Sequence, residues 1–223
     1  MNGDQLAKAI GALASLAWVG LAGYALYLLR NILPNVVGGL AGFEAFGLKL
    51  SMSGGRAMEA AIEMARKQVG WQVEIPEADR EAALARANRE RKIIEGAEIL
   101  WVDDRPSNNR NEARMLRSFG ALITFACTTE EAMAALWQAT EQMQPFHIVI
   151  SDINRELPDG DPRAGLAMID RFRAEKIALP LILYVGKLDT DAGVPNGAFG
   201  VTNRPDQLLQ LVLDALARVR RAS

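Results

Sequence analysis

Read for the alternation of apolar and polar positions, the chain changes character three times. From Ala9 to Leu29 no charged residue occurs, and Lys8 and Arg30 bracket the stretch. At ~1.5 Å per helical residue such a run is about long enough to cross a ~30 Å hydrocarbon core. A transmembrane helix over residues 9–29 is therefore predicted. Trp18, Tyr24 and Tyr27 offer interface-seeking rings, although Trp18 falls near the middle. A cleaved signal peptide fits less well, because the run is longer than a signal core and no clear small-x-small site follows it. Ala7, Gly11 and Ser15 fall four apart, a spacing that permits close helix–helix approach. Pro34 and the glycines of "ILPNVVGGLAGFEAFG" then turn the chain near the membrane surface.

Next, Phe46, Leu48, Leu50 and Met52 alternate with Gly47, Lys49 and Ser51, a period-two strand signal. A lone short strand needs a partner, which a neighbouring protomer would supply. From Gly55 to about Gly70 the pattern is helical, with Met58 and Met64 placed to pack against a neighbour. Pro76 suits the start of a second, charged and alanine-rich helix running to Glu95. The two helices are expected to form a juxtamembrane stalk or small hairpin; a solvated linker is the alternative for the second.

From Ala97 onward short β-branched runs alternate with amphipathic segments. Strands are predicted at Glu98–Val102, Leu122–Ala126, His147–Ser151, Leu181–Val185 and Phe199–Thr202. Helices are predicted around Asn108–Phe119, Thr129–Gln142, Ala164–Glu175 and Asp206–Arg221, with Thr128 and Glu131 at capping-box spacing before the second. The expected fold is α/β, a doubly wound five-stranded parallel sheet with helices on both faces, preceded by one transmembrane helix and a helical juxtamembrane region. The expected divisions are a membrane anchor over 1–33, a juxtamembrane strand and stalk over 34–96, and the α/β domain over 97–223.

Composition narrows the function little. The 223 residues carry a formal net charge of −2, which gives no electrostatic case for nucleic acid. The one cysteine, Cys127, permits no intrachain disulfide and suits a reducing compartment. The one histidine, His147, sits in an apolar run and is expected to be structural rather than part of a zinc site or triad. Trp101 and Trp137 are expected to pack. No Gly-rich phosphate loop, nucleophile elbow or zinc-ligand cluster points to an enzyme.

The candidate chemistry is acidic. Ligands on open parallel sheets bind outside the carboxyl ends of the strands. Asp103 and Asp104 end the first strand and Asp152 ends the third, so topology gathers them at one rim. Three carboxylates together need a cation, basic side chains or a retained proton. Mg²⁺ suits the first case, because it takes oxygen ligands and keeps several waters. Asp152 held against such an ion would be a nucleophile for a phosphoryl group, with Arg204 as the opposing positive charge. Arg105 and Arg155 flank the acids and offer neutralisation without metal.

In this order "ILWVDD", "VISDIN" and "GAFGVTNRP" resemble the receiver domain of bacterial response regulators, a flavodoxin-like fold, over about Glu98–Arg221. The resemblance implies Mg²⁺ held by Asp103, Asp104, Asp152 and the backbone carbonyl of Asn154. It also implies phosphate accepted on Asp152 from a histidine kinase, and it matches the family's lysine-proline with Arg204 and Pro205. The departures fall on the switching parts. Val185 stands where the family has threonine or serine, Val201 where it has an aromatic residue, and Arg204 is bulkier than lysine. The stretch from Val185 to Gly197 is short for a fourth helix, and "RELPDGDPRAG" is longer and more basic than the family's loop.

Three functions stay open. The first is a membrane-anchored, receiver-like signalling or interaction module, degenerate in its phosphorylation switch, that binds a protein partner or itself. The second is a true phosphoacceptor response regulator using Asp152 with Mg²⁺. The third is a membrane effector whose soluble domain senses a cue while its anchors cluster, as in antiviral defence. In each, residues 9–29 contact lipid as a single pass of a bacterial cytoplasmic membrane, and the C-terminal domain is cytoplasmic.

Overall fold

Every residue from Ile99 to Val102 is buried in strand β1 (Glu98–Val102), and the same holds along β3 (Ile148–Ser151) and β4 (Leu181–Tyr184). Strands covered on both faces belong at the centre of a parallel sheet. β2 (Leu122–Ala126) and β5 (Gly200–Thr202) close the two edges, and exposed Leu122 marks the first. All neighbours pair in parallel, in the order β2-β1-β3-β4-β5. That is the doubly wound order of flavodoxin-like folds, as the sequence predicts. The structure, a computed structural model, describes residues 53–67, 74–155, 161–189 and 191–222. The predicted transmembrane run and the strand signal at Phe46–Met52 lie outside the described residues. Among the described residues no helix is long and apolar enough to cross a membrane.

Seven helices are named here in chain order. Helix α1 covers 53–67, α2 Glu77–Arg89 and α3 Arg91–Ile94, all before β1. Helix α4 (Arg110–Ser118) follows β1, and α5 (Thr129–Glu141) follows β2. Helix α6 (Ala164–Ala174) follows β3, and α7 (Pro205–Ala222) follows β5. At the start of α5, Glu131 N–H donates to Thr128 Oγ1 at 3.0 Å while Glu131 Oε2 accepts from Cys127 N–H at 2.7 Å. The capping box thus reaches one residue further back than the usual pattern. Between β4 and β5 the described residues form no helix, in keeping with the shortness of that stretch.

The sheet carries one core on each face. Leu100, Val102, Val149 and Leu183 pack with Met133 and Leu136 of α5 and with Met168 and Phe172 of α6. On the other face Ile99, Trp101 and Ile150 meet Leu116 of α4 and Leu209, Val212 and Leu213 of α7. Met58, Ile62 and Ala65 of α1, Ala83 and Ala87 of α2, and Ile94 belong to that same core. The helices expected as a stalk or hairpin thus share the interior of the α/β domain. Their sequences conceal this because α2 is charged almost all round. Its only buried residues are Ala83 and Ala87, one turn apart and small enough to admit the backbone of α7. Arg86 ties the pair from the side, donating to Gln210 Oε1 at 2.7 Å and Asp214 Oδ1 at 2.6 Å.

Smaller expectations divide. Trp101 and Met58 are fully buried, whereas Trp137 is 53% and Met64 42% exposed, so the latter two do not pack as predicted. His147 is structural: its Nδ1 accepts from Glu98 N–H at 3.1 Å.

Replacing Ala87 with glutamate would force an unpaired carboxylate between α2 and α7. Ala87→Glu is expected to lower unfolding stability by roughly 2–5 kcal/mol, measured by denaturant titration. A mere linker would tolerate the change within about 0.5 kcal/mol.

Candidate functional site

The ladder between the strands continues past their last apolar residues. Asp103 N–H donates to Ala126 O at 3.0 Å, and Asp152 N–H donates to Val102 O at 3.0 Å. Paired register therefore places Asp103 and Asp152 side by side at the carboxyl edge, Val102 lying opposite Ser151. Asp103, Asp104, Asp152 and Asn154 line one cleft of about 400 Å³, with Arg105, Asn108, Val185 and Lys187. A second cleft of about 270 Å³ touches Asp103 and Asp152 from the other side and is walled by Tyr184, Met64 and Lys67.

Asp103 is only 5% exposed. Its Oδ1 accepts Arg105 N–H at 2.6 Å and its Oδ2 accepts Asn109 Nδ2 at 2.5 Å, so both oxygens are engaged. Burial still pushes its carboxyl above the ordinary aspartate range, and those hydrogen bonds only partly offset it. Asp152 is half-buried, and its carboxyl is pushed up to about 6, first by burial and then by the charge of Asp103. Asn154 N–H donates to Asp152 Oδ1 at 3.4 Å, an interaction that favours the ionised form weakly. One layer deeper, Glu112 of α4 is pushed up to about 7 by burial. Tyr184 O–H donates to its Oε1 at 3.1 Å, while the buried Oε2 meets no partner among the described residues.

Arg105 borders the acids as the sequence suggests, whereas Arg204 faces other carboxylates. Arg204 turns to its own helix terminus, donating from Nε to Asp206 Oδ1 at 3.1 Å and from Nη2 to Asp206 Oδ2 at 2.6 Å. The same Nη2 reaches Asp79 Oδ2 on α2 at 2.8 Å. Arg204 is absent from the lining of either cleft, because two nearer carboxylates hold its guanidinium. Arg155 is fully buried, donating from Nη1 to Ser151 Oγ at 2.8 Å and from Nη2 to Thr129 Oγ1 at 2.6 Å. From there its charge still lowers the Asp103 carboxyl. Val185 lines both clefts and offers no side-chain hydrogen bond.

An oxygen-only donor set is of the chemistry that suits Mg²⁺. Asp103, Asp104, Asp152 and the Asn154 carbonyl, which share one cleft, are the groups that would hold it. Each oxygen of Asp103 accepts one hydrogen bond and keeps a further lone pair, and among the described residues no group of three or more His, Cys, Asp or Glu side chains is already gathered as for a metal ion. Sequence reasoning missed Asn109, Lys67 and the Glu112–Tyr184 pair. The six-residue spacing from Asp103 to Asn109 is a usable local signal. Nothing local relates Lys67 to a rim formed more than thirty residues later.

Neither a family model nor a curated protein matches the chain. Solved structures similar to it include a response regulator receiver domain protein from Clostridium thermocellum, at 20% identity over 57% of this chain and 99% of that one, TM-score 0.46. The chemotaxis response regulator CheY4 of Vibrio cholerae is 21% identical over 56% and 98%, TM-score 0.39. A CheY-like receiver domain protein from Methanospirillum hungatei is 19% identical over 58% and 100%, TM-score 0.44.

The raised carboxyl of Asp152 has a pH consequence. A folded-state value of about 6 against an ordinary 3.8 means that folding retains a proton between those values. The associated stability is fully present below about pH 4 and is lost as pH rises through about 6. Asp152→Asn is accordingly expected to unfold at higher temperature than the native chain at pH 8, by the equivalent of about 1–3 kcal/mol. The difference should shrink towards zero below about pH 4, as followed by thermal melting across the range.

Proposed function

We propose that the chain is a membrane-anchored, receiver-like signalling module that works by binding rather than turnover and has lost the ordinary phosphorylation switch. The observation that carries this reading is the engagement of Arg204 by Asp206 and Asp79. A phosphoryl group on Asp152 would find no cation from that position and no hydroxyl at Val185. Fold alone assigns no function, so the reading rests on these side chains. Residues 9–29 would span a bacterial cytoplasmic membrane once, with the described domain in the cytoplasm. A protein partner or a second copy of the chain would receive the signal.

A second reading keeps Asp152 as a phosphoacceptor for a histidine kinase, with Mg²⁺ drawn in by Asp103, Asp104, Asp152 and the Asn154 carbonyl. It is favoured by one observation: Asp152 opens onto a cleft that Asp103 and Asp104 also line. Beryllofluoride with Mg²⁺, an acyl-phosphate mimic, separates the two. The expected result is no saturable binding by calorimetry; saturable binding that vanishes in Asp152→Asn would instead establish the phosphoacceptor. For the anchor, removing residues 1–53 is expected to release the protein from lipid vesicles in a flotation assay.

A further inference from the structure

Lys67 occupies a position that the reading above leaves without a role. It lies at the last described turn of α1 and, with Met64 one turn earlier, walls the cleft that contains Asp103 and Asp152. The rest of α1 is fixed. Met58 and Ile62 are buried in the sheet core, Glu59 pairs with Arg80 of α2 at 3.6 Å, and Asn111 Nδ2 donates to Ala60 O at 3.4 Å. Docking therefore delivers a lysine to the rim of an acidic cleft from which Arg204 has been withdrawn.

The ammonium rests at present on Glu63, 3.3 Å away and one turn back, with the two side chains 66% and 61% exposed. An ion pair that exposed holds its partners weakly. Lysine carries its charge on a flexible four-carbon stem, so its head can exchange partners without moving the helix. The alternative partner is the Asp152–Asp103 pair, whose mutual repulsion a cation would relieve.

We infer that Lys67 exchanges Glu63 for the Asp152 side of the acidic cleft, and that this contact couples the seating of α1 to the charge in the cleft. Lys67 is a positioning residue: it supplies the cation that Arg204 does not, and it does so from the segment that leads back towards the predicted anchor. Replacing Asp152 with a neutral residue removes the alternative partner of Lys67 and loosens the end of α1. The inference rests on the reading of this cleft as the working site, but not on whether Asp152 accepts a phosphoryl group.

The test is a double-mutant cycle on the full chain in detergent, without Mg²⁺ or beryllofluoride, at pH 8. Amide exchange in residues 53–67 is read by mass spectrometry against α7 of the same molecule, which cancels changes in global stability. Lys67→Met and Asp152→Asn are each expected to speed relative exchange in α1 by about threefold, the size an exposed ion pair supports. The double variant should be no faster than either single one. Lys67→Arg should retain native exchange, and Glu63→Gln, which frees the lysine, should slow it. Additive effects of the two substitutions, or native exchange in Lys67→Met, would overturn the inference. Because phosphate mimics are excluded, that outcome is independent of the beryllofluoride result.

Discussion

The backbone bond from Asp152 N–H to Val102 O lies one residue beyond the end of β3, and the site depends on it. A parallel ladder fixes the stagger of its strands. Two chains of apolar residues paired to their ends must deliver whatever follows them to the same place. Here aspartates follow. Their proximity is the cost of a sheet buried on both faces, and burial makes it greater by removing the water that would screen them.

The surrounding side chains respond to that charge in three ways. Asp103 is stabilised by hydrogen bonds from Arg105 N–H and Asn109 Nδ2. Arg155 is sunk behind the end of β3 on two hydroxyls and acts on Asp103 through space. Asp152 is left to retain its proton to a higher pH than an ordinary aspartate. Arg204 contributes to a different contact. By joining Asp206 with Asp79 it fastens the β5–α7 turn to α2, which makes it part of the packing between the N-terminal helices and the sheet. A cation in that position trades reach into the cleft for attachment to the helix beside it.

Those N-terminal helices connect the edges of the problem. Helix α1 is seated by apolar residues in the same core that holds β1, and its end borders the acids. The acids of the cleft and the end of α1 are therefore neighbours, held by one core. Between β4 and β5 the described residues form no helix.

What the sequence determined by itself was local and periodic. β-branched runs buried on both faces gave the strands, amphipathic spacing gave α4 to α7, and aspartates at strand ends gave the acidic rim. Each signal lies within a few residues of what it specifies, and a parallel sheet has few ways to order such units. Arg204 was legible along the chain but its pairing with Asp206 and Asp79 was not, because proximity to a strand end does not reveal which carboxylate a guanidinium will meet. Asp79 comes from 125 residues away. The alanine stripe of α2 was invisible for a related reason: two small buried residues are enough for close helix packing and too few to stand out among charges. The tertiary structure alone decided which charges pair, which helices share a core, and that Lys67 lines a cleft with Asp152. Those contacts join distant segments, and nothing in their own neighbourhoods along the chain fixes them.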